Sequence, residues 1–362
     1  MDSLTGRRPL LSSIRTGIQE VDPRHRLDVP RLETYLRGIL PGFDGALQVR
    51  QFVGGQSNPT YHLSDGTREW VLRRKPPGRL VQSAHAVDRE FRVLSALAQV
   101  DFPSPRPRVY CADAGVIGSE FYVMDRVEGR ILVDQTLPDW TPEERRRLYA
   151  SQIEILARLH SLDPAALGLA DYGKPGNYFA RQIHVWSKQY READVPRSAA
   201  MERLMEWLPE NVPEDPSSAI VHGDFGLNNM ILHASEPRVV AVLDWELSTL
   251  GHPLADLTYH LAQRLSPNGH FAGMSDARLE SLGIPTRAQY VAHYCELTGR
   301  RGGIPQLDFY LAFHLFRTAG IMFGIAGRAR AGTAAGAEAG ELGKLALPLA
   351  ERGLALARGL GA

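Results

Sequence analysis

The stretch VHGDFGLNNMILHASEPRVVAVLDWE, residues 221–246, decides how the rest of the chain is read. Asp224 is followed five residues later by Asn229, and Asp244 comes fifteen residues after that. Between Asn229 and Asp244 lie the apolar MILH, a turn from Ala234 to Pro237 and the apolar run VVAVL. Two short apolar runs around a turn read as a hairpin. Such a hairpin returns Asp244 to the loop that carries Asp224 and Asn229. Phosphoryl transfer asks for this set of groups: one carboxylate to orient a hydroxyl and take its proton, and an amide oxygen and a second carboxylate to hold magnesium against phosphate oxygens. Hard oxygen donors suit magnesium, and no Cys or His cluster in the sequence points to zinc.

Upstream of this segment the pattern is β-rich. Residues 48–74 alternate around a Gly-Gly-Gln-Ser-Asn loop, and Asp65-Gly66 between two alternating runs signals a hairpin. Pro76-Pro77-Gly78 ends the run. Residues 84–99 carry Val87, Phe91, Leu94 and Leu97 on one helical stripe, and residues 109–127 read as another hairpin. Earlier still, Leu32, Leu36 and Leu40 give residues 30–40 helical spacing. After Glu128-Gly129 helices dominate. Thr141 before Pro142 marks a helix start for 142–160, and further helices are expected near 178–192, 199–208, 252–264, 287–298, 306–327 and 341–358. The expected architecture is α+β and two-lobed: a flexible leader at 1–27, a small antiparallel-sheet N-lobe at 28–125 and a larger helical C-lobe at 126–362 that contains the loop at 222–229. The small-residue stretch 331–340 reads as a linker.

Composition bounds the function. The 362 residues are 44% hydrophobic and 23% charged, ordinary for a globular protein. Forty-one basic residues balance 41 acidic ones, so there is no global basic field of the kind nucleic-acid binding shows. No apolar run in the sequence approaches the ~18 residues a membrane span needs, and MDSLTGRRPLLSSIRTGIQE has no uninterrupted apolar core to read as a secretory signal. Cys111 and Cys295 alone make no disulfide framework, which fits a reducing cytoplasm.

The H-G-D-x-x-x-x-N pattern at 222–229, followed by D-x-E at 244–246, resembles the aminoglycoside phosphotransferase/choline kinase family, which is similar in fold to protein kinases. The resemblance covers about residues 48–330. Longer matches resemble the kinase-like domains fused to certain acyl-CoA dehydrogenases and their free-standing bacterial relatives. These are FVGGQSNPTYHL (52–63), VLRRKPPG (71–78), AHAVDREFRVLSAL (84–97), VIGSEFYVMDRVEGR (116–130) and VLDWELSTLGHPLADL (242–257).

Carried over by this resemblance, Asp224 is expected to be the base or hydroxyl positioner, with His222 bracing its loop. Asn229 and Asp244 are expected to ligate Mg2+, with Glu246 as a further carboxylate. Arg73 falls where kinases hold the α- and β-phosphates, paired with Glu90, and an Arg there can grip phosphate bidentately. Strand alternation leaves Lys75 as an alternative on the same face. Gly55, Gln56, Ser57 and Asn58 would cover the ATP phosphates, although GGQSN lacks the G-x-G-x-x-G form. Met124, Asp125 and Val127 would form the adenine hinge. No A-P-E signature follows Asp244, which favours a small-molecule kinase over a phosphorylation-gated protein kinase.

The resemblance implies a hydroxyl acceptor, foremost a 4-hydroxyacyl-CoA. Aminoglycoside, choline and other small alcohols stay open, as does a catalytically silent nucleotide-binding module that regulates a partner. The stretch QLDFYLAFHLFRTAGIMFGIAGRAR (306–330) reads first as a core helix. Its His314, Arg317, Arg328 and Arg330, with no acid after Asp308, suit an anionic acceptor better than a polycation.

Overall fold

The computed structural model of the chain describes residues 17–53, 58–76, 86–132, 134–174, 176–267, 269–332 and 339–362. A six-stranded antiparallel sheet forms the first lobe, in spatial order β1-β2-β3-β4-β6-β5. Its strands are β1 (Ile18–Gln19), β2 (Gln48–Phe52), β3 (Thr60–Ser64), β4 (Glu69–Arg74), β5 (Pro107–Cys111) and β6 (Phe121–Asp125). Three helices accompany it: α1 (Val29–Arg37), α2 (Val87–Ala98) and the single turn α3 (Ala114–Ile117).

The Asp65-Gly66 turn forms as expected. Asp65 Oδ1 accepts from the N–H groups of Thr67 and Arg68 at 2.9 and 2.7 Å, and Gly66 takes φ 92°, which a glycine adopts without steric cost. The two-residue period then divides β4 between two cores. Trp70 and Leu72 join Leu32 and Leu36 of α1, Tyr61, Phe121 and Val123 in a small core on one face. Val71 on the other face packs with Tyr122, Met124 and α2 into the main core, which runs on into the helical lobe.

Three expectations change here. Residues 17–27 are not a loose leader. Ile18 and Gln19 pair with Phe52 and Gln51, and the Tyr61 hydroxyl donates to the His25 carbonyl at 2.7 Å. Two residues of strand are too few to leave a periodic signal in a sequence. The 109–127 hairpin holds the helical turn α3 in its connection, with Asp113 capping Gly115 N–H at 2.7 Å. The helix expected at 341–358 is two helices, α11 (Ala339–Gly343) and α12 (Ala346–Arg358).

The second lobe contains α4 (Pro142–His160), α5 (Tyr178–Glu192), α6 (Ala199–Glu210), α7 (Pro253–Gln263), α8 (Asp276–Leu282), α9 (Arg287–Leu297) and α10 (Leu307–Arg330), with two small ladders: β7 (Ala219–Val221) with β10 (Thr249–Gly251), and β8 (Met230–Leu232) with β9 (Val239–Val242). The α4 start carries a full capping box between Thr141 and Glu144. By length and composition α10 could cross a membrane, contrary to the absence read from the sequence, yet 61% of its apolar window is buried. It packs against α5, α7 and α12 as a core helix.

Candidate active site

The β8–β9 hairpin does what its sequence indicates. Met230 pairs with Val242 and Ile231 with Ala241, and Leu243 N–H donates to the Asn229 carbonyl at 2.8 Å. Asp244 thus returns beside the loop at 222–229. It sits at φ 64°, ψ 62°, a left-handed conformation that is costly for a residue with a Cβ and persists only where neighbours determine it. The determinant is the next residue. Trp245 is 2% exposed, donates from Nε1 to the Val242 carbonyl at 3.0 Å and packs its ring 4.8 Å from that of His222.

The sheet supplies the cation. Arg73 pairs across the ladder with Tyr122, so both side chains face α2. The Arg73 Nε lies 3.2 Å from Glu90 Oε2, and its Nη2 lies 3.0 Å from Asp244 Oδ1 and 3.7 Å from Glu246 Oε2. Glu90 is 1% exposed and also accepts from the Tyr122 hydroxyl at 2.7 Å and Asn58 Nδ2 at 3.1 Å. Burial pushes the Glu90 pKa up, against the pull of Arg73. Burial alone would lower the Arg73 pKa, but Glu90, ahead of Tyr122, Asp244 and Glu246, raises it, so the guanidinium keeps its charge. The alternation alternative does not reach this site: β4 ends at Arg74, and Lys75 lies 4.0 Å from Glu120. Arg74 faces the other way and donates to the Ile117 carbonyl at 3.2 Å.

On the loop, Asn229 Nδ2 donates to Asp224 Oδ2 at 2.8 Å and to the Asp224 carbonyl at 2.9 Å. The Tyr259 hydroxyl donates to Asp224 Oδ1. His222 is fully buried. Its Nδ1 accepts from the Asp224 N–H at 3.2 Å, which leaves Nε2–H to donate to the Leu243 carbonyl at 2.7 Å. His222 therefore joins the loop to the end of the hairpin and does not touch the Asp224 carboxylate. Gly223 has φ 85°, and a Cβ there would stand 2.8 Å from the Leu247 carbonyl.

Beneath the loop, Asp256 on α7 accepts from the N–H groups of His222 and Gly223 at 2.6 and 2.7 Å. Burial would raise its pKa, but the His160 side chain and the His222 contacts hold it below the usual carboxylate value. From α10, Arg317 donates to the Gly223 carbonyl at 3.3 and 3.4 Å and lies over the rings of Trp186 and Tyr259, each at 5.6 Å.

The structure therefore brings together Asn58, Arg73, Glu90, Asp244 and Glu246 in one group, and Asp224, Asn229 and His222 in the adjoining loop. Gly55, Gln56 and Ser57 lie outside the described residues. The Met124 to Val127 segment divides. Met124 is buried in the sheet, the Asp125 N–H is taken by the Arg106 carbonyl at 2.9 Å, and the Asp125 carboxylate pairs with Arg108 at 2.6 Å. Among the described residues no partner holds the backbone N–H or carbonyl of Val127. Sequence reasoning does not assign Asp256 and Tyr259 to this loop. Their three-residue spacing, which puts both on one face of α7, is the available signal.

Comparison with known proteins bears on the family and the fold. The chain is 44% identical over 356 residues to acyl-CoA dehydrogenase family member 11 of Gallus gallus, covering 96% of this chain and 46% of that protein. The chain thus spans less than half the length of that curated relative. A solved Ralstonia eutropha structure, described as a candidate aminoglycoside phosphotransferase, superposes with TM-score 0.84 at 44% identity, over 92% of this chain and 99% of the other. The aminoglycoside phosphotransferase APH(4)-Ia, solved as a thermostable mutant with AMP-PNP and hygromycin B, shares the fold at TM-score 0.58 and 18% identity, over 91% of this chain and 99% of the other. With residues 48–304 matching its sequence profile and the kinase-like two-lobed fold in place, the chain belongs to the phosphotransferase enzyme family.

Proposed function

We propose that the chain transfers the γ-phosphate of ATP to a hydroxyl of a small, anionic metabolite, and that this metabolite is a hydroxyacyl-CoA thioester with the hydroxyl at C4. The observation that carries the phosphotransfer is the contact of one guanidinium, Arg73, with both Glu90 of the upper lobe and Asp244 of the lower. It joins a cation of the sheet to the carboxylate at the end of the hairpin that follows the Asp224 loop. ATP as donor is supported by the fold shared with a phosphotransferase solved with AMP-PNP.

Glu90, Asp244 and Glu246 each present an oxygen within 4.8 Å of the others, but Arg73 lies among them and Glu90 serves it, so the oxygens that would face an ion are those of Asp244 and Glu246 and the Asn229 amide. All are hard oxygens, the kind magnesium prefers. Asn229 and Asp244, with Glu246, would hold Mg2+, and the ion would neutralise charge on the phosphate oxygens. Arg73, held by Glu90, contacts the phosphates. Val127 offers backbone groups to the base. Asp224 orients the acceptor hydroxyl and accepts its proton as the bond to phosphorus forms, its two oxygens held by Asn229 and Tyr259. Each oxygen keeps a further lone pair for the incoming hydroxyl.

For the acceptor, Arg317 stands at the Gly223 carbonyl and no acid follows Asp308 along α10. That favours an anion over a polycationic aminoglycoside or choline. A relative named for acyl-CoA chemistry supports a thioester.

The test is ADP release with ATP and Mg2+ across 4-hydroxyacyl-CoAs of several chain lengths, a 3-hydroxyacyl-CoA, choline and kanamycin, with Asp224→Ala as the blank. Stimulation by 4-hydroxyacyl-CoA is the expected result. Stimulation by choline or kanamycin instead overturns the acceptor and keeps the kinase. Silence across the panel with ATP still bound points to a regulatory module.

A further inference from the structure

We propose that Tyr259 is a positioning residue for the reaction: its phenol and the Asn229 amide hold the Asp224 carboxylate in a single orientation toward the acceptor hydroxyl. This rests on the phosphotransfer reading above, but it concerns a residue that the loop motif does not contain.

The two donors reach Asp224 from separate elements. Asn229 lies on the loop itself and takes Oδ2 at 2.8 Å. Tyr259 lies on α7 and takes Oδ1. The terminal torsion of an aspartate is broad and has no strong well of its own, so a carboxylate held at one oxygen swings while one held at both does not. Each oxygen retains a lone pair after accepting one hydrogen bond, so the clamp leaves room for the substrate hydroxyl. Positioning is the larger share of what a protein contributes to a loose phosphoryl-transfer transition state.

Tyr259 is itself held. The Arg317 guanidinium lies 5.6 Å over its ring and is fixed to the Gly223 carbonyl at 3.3 Å. The His314 ring meets it edge-on at 5.8 Å. Burial, with the Asp224 charge nearby, pushes the phenol's pKa up, so the hydroxyl keeps its proton and remains a donor. Asp256, one turn earlier on α7, accepts from the N–H groups of His222 and Gly223. The same helix therefore holds the loop backbone with one residue and the reacting carboxylate with another.

The experiment is Tyr259→Phe, which keeps the ring in its packing and removes only the hydroxyl. With an active acceptor, kcat falls about tenfold, as loss of a hydrogen bond to a charged group implies. KM for ATP and for the acceptor stay within about twofold, and replacing Tyr259 with 3-fluorotyrosine, which restores a donor, returns the rate. A general packing defect would move KM and thermal stability together and would not be rescued this way. Crystal structures of the wild type and Tyr259→Phe decide the matter independently of activity. Asp224 in two or more carboxylate orientations in the variant is the expected result, and one unchanged orientation, or an unchanged kcat, overturns the proposal. A wild type silent toward every acceptor sinks the phosphotransfer reading, while the pair of structures still decides the role of Tyr259.

Discussion

Arg73 reaches Asp244 across 171 residues of chain, Nη2 to Oδ1 at 3.0 Å. The contact joins the end of a sheet strand to a left-handed residue at the end of a hairpin. It also places Asp244 under two opposed demands, since the oxygen that accepts from Arg73 belongs to the carboxylate expected to face a divalent ion. Arg73→Met is expected to raise KM for ATP at least tenfold. It is also expected to lower unfolding free energy by ~3 kcal/mol, because buried Glu90 loses its partner and must either carry an unpaired charge or take up a proton. Steady-state kinetics and urea denaturation check the two effects. Arg73→Lys should recover some of the stability and less of the affinity, since a lysine cannot bridge two carboxylates with a planar fork.

On the proposed reading Asp224 handles the acceptor hydroxyl and Asp244 the metal. Asp224→Ala is expected to abolish turnover while nucleotide affinity, measured by calorimetry, changes less than about threefold. Asp244→Ala is expected to weaken magnesium–nucleotide binding as well as turnover. Normal turnover in the first variant removes Asp224 as the hydroxyl positioner. An unchanged magnesium dependence in the second removes Asp244 as a ligand.

Asp256 accepts two backbone N–H groups with its two oxygens. An asparagine can accept only one and turns its amide donor toward the other. Asp256→Asn is therefore expected to cost ~2 kcal/mol of stability for the N–H left buried and unpaired, and to lower kcat with the loop displaced. Thermal unfolding and kcat should fall together, in contrast to the kcat-only effect at Tyr259.

Stability should drop as pH falls below neutrality. Burial lowers the pKa of His252 to about 4, against the pull of Asp215, and that of His314 to about 3, with Arg317 adding to the effect. Both take protons in the unfolded chain near pH ~6.5 but not in the fold until far lower. The unfolded state thus binds more protons across the window from about 6.5 down to about 4, and stability rises with pH there and levels off above it. Each histidine should cost ~1 kcal/mol by pH ~5.5. Unfolding midpoints at several pH values check this, and His314→Asn should flatten some of the slope.

The arrangement of the 221–246 segment was legible because it is local. Asp224, Asn229 and Asp244 sit on one loop and one hairpin, and the apolar runs that make the hairpin are contiguous in sequence. The Arg73–Glu90 pair was legible through strand and helix period, but the choice against Lys75 was not. It depends on where β4 ends and on Glu120, which the alternation cannot see. Asp256 reads as an ordinary first-turn acid of α7, because the N–H groups it serves lie 33 and 34 residues back. Ile18–Gln19 and the seven-residue α8 are too short to show a period.

The Arg130–Leu232 bridge has a mechanical meaning. Arg130 exchanges backbone hydrogen bonds with Leu232 at 2.9 and 2.8 Å, Val242 N–H donates to the Pro103 carbonyl at 2.8 Å, and a Cβ on Gly129 would stand 2.2 Å from the Leu232 carbonyl. The segment at 129–130, where the chain leaves the sheet lobe, is therefore riveted to the hairpin that carries Asp244. With Val242 also tied to Pro103 of the first lobe, the position of Asp244 follows the connection between the lobes, so a displacement of that connection would be felt at Asp244 directly.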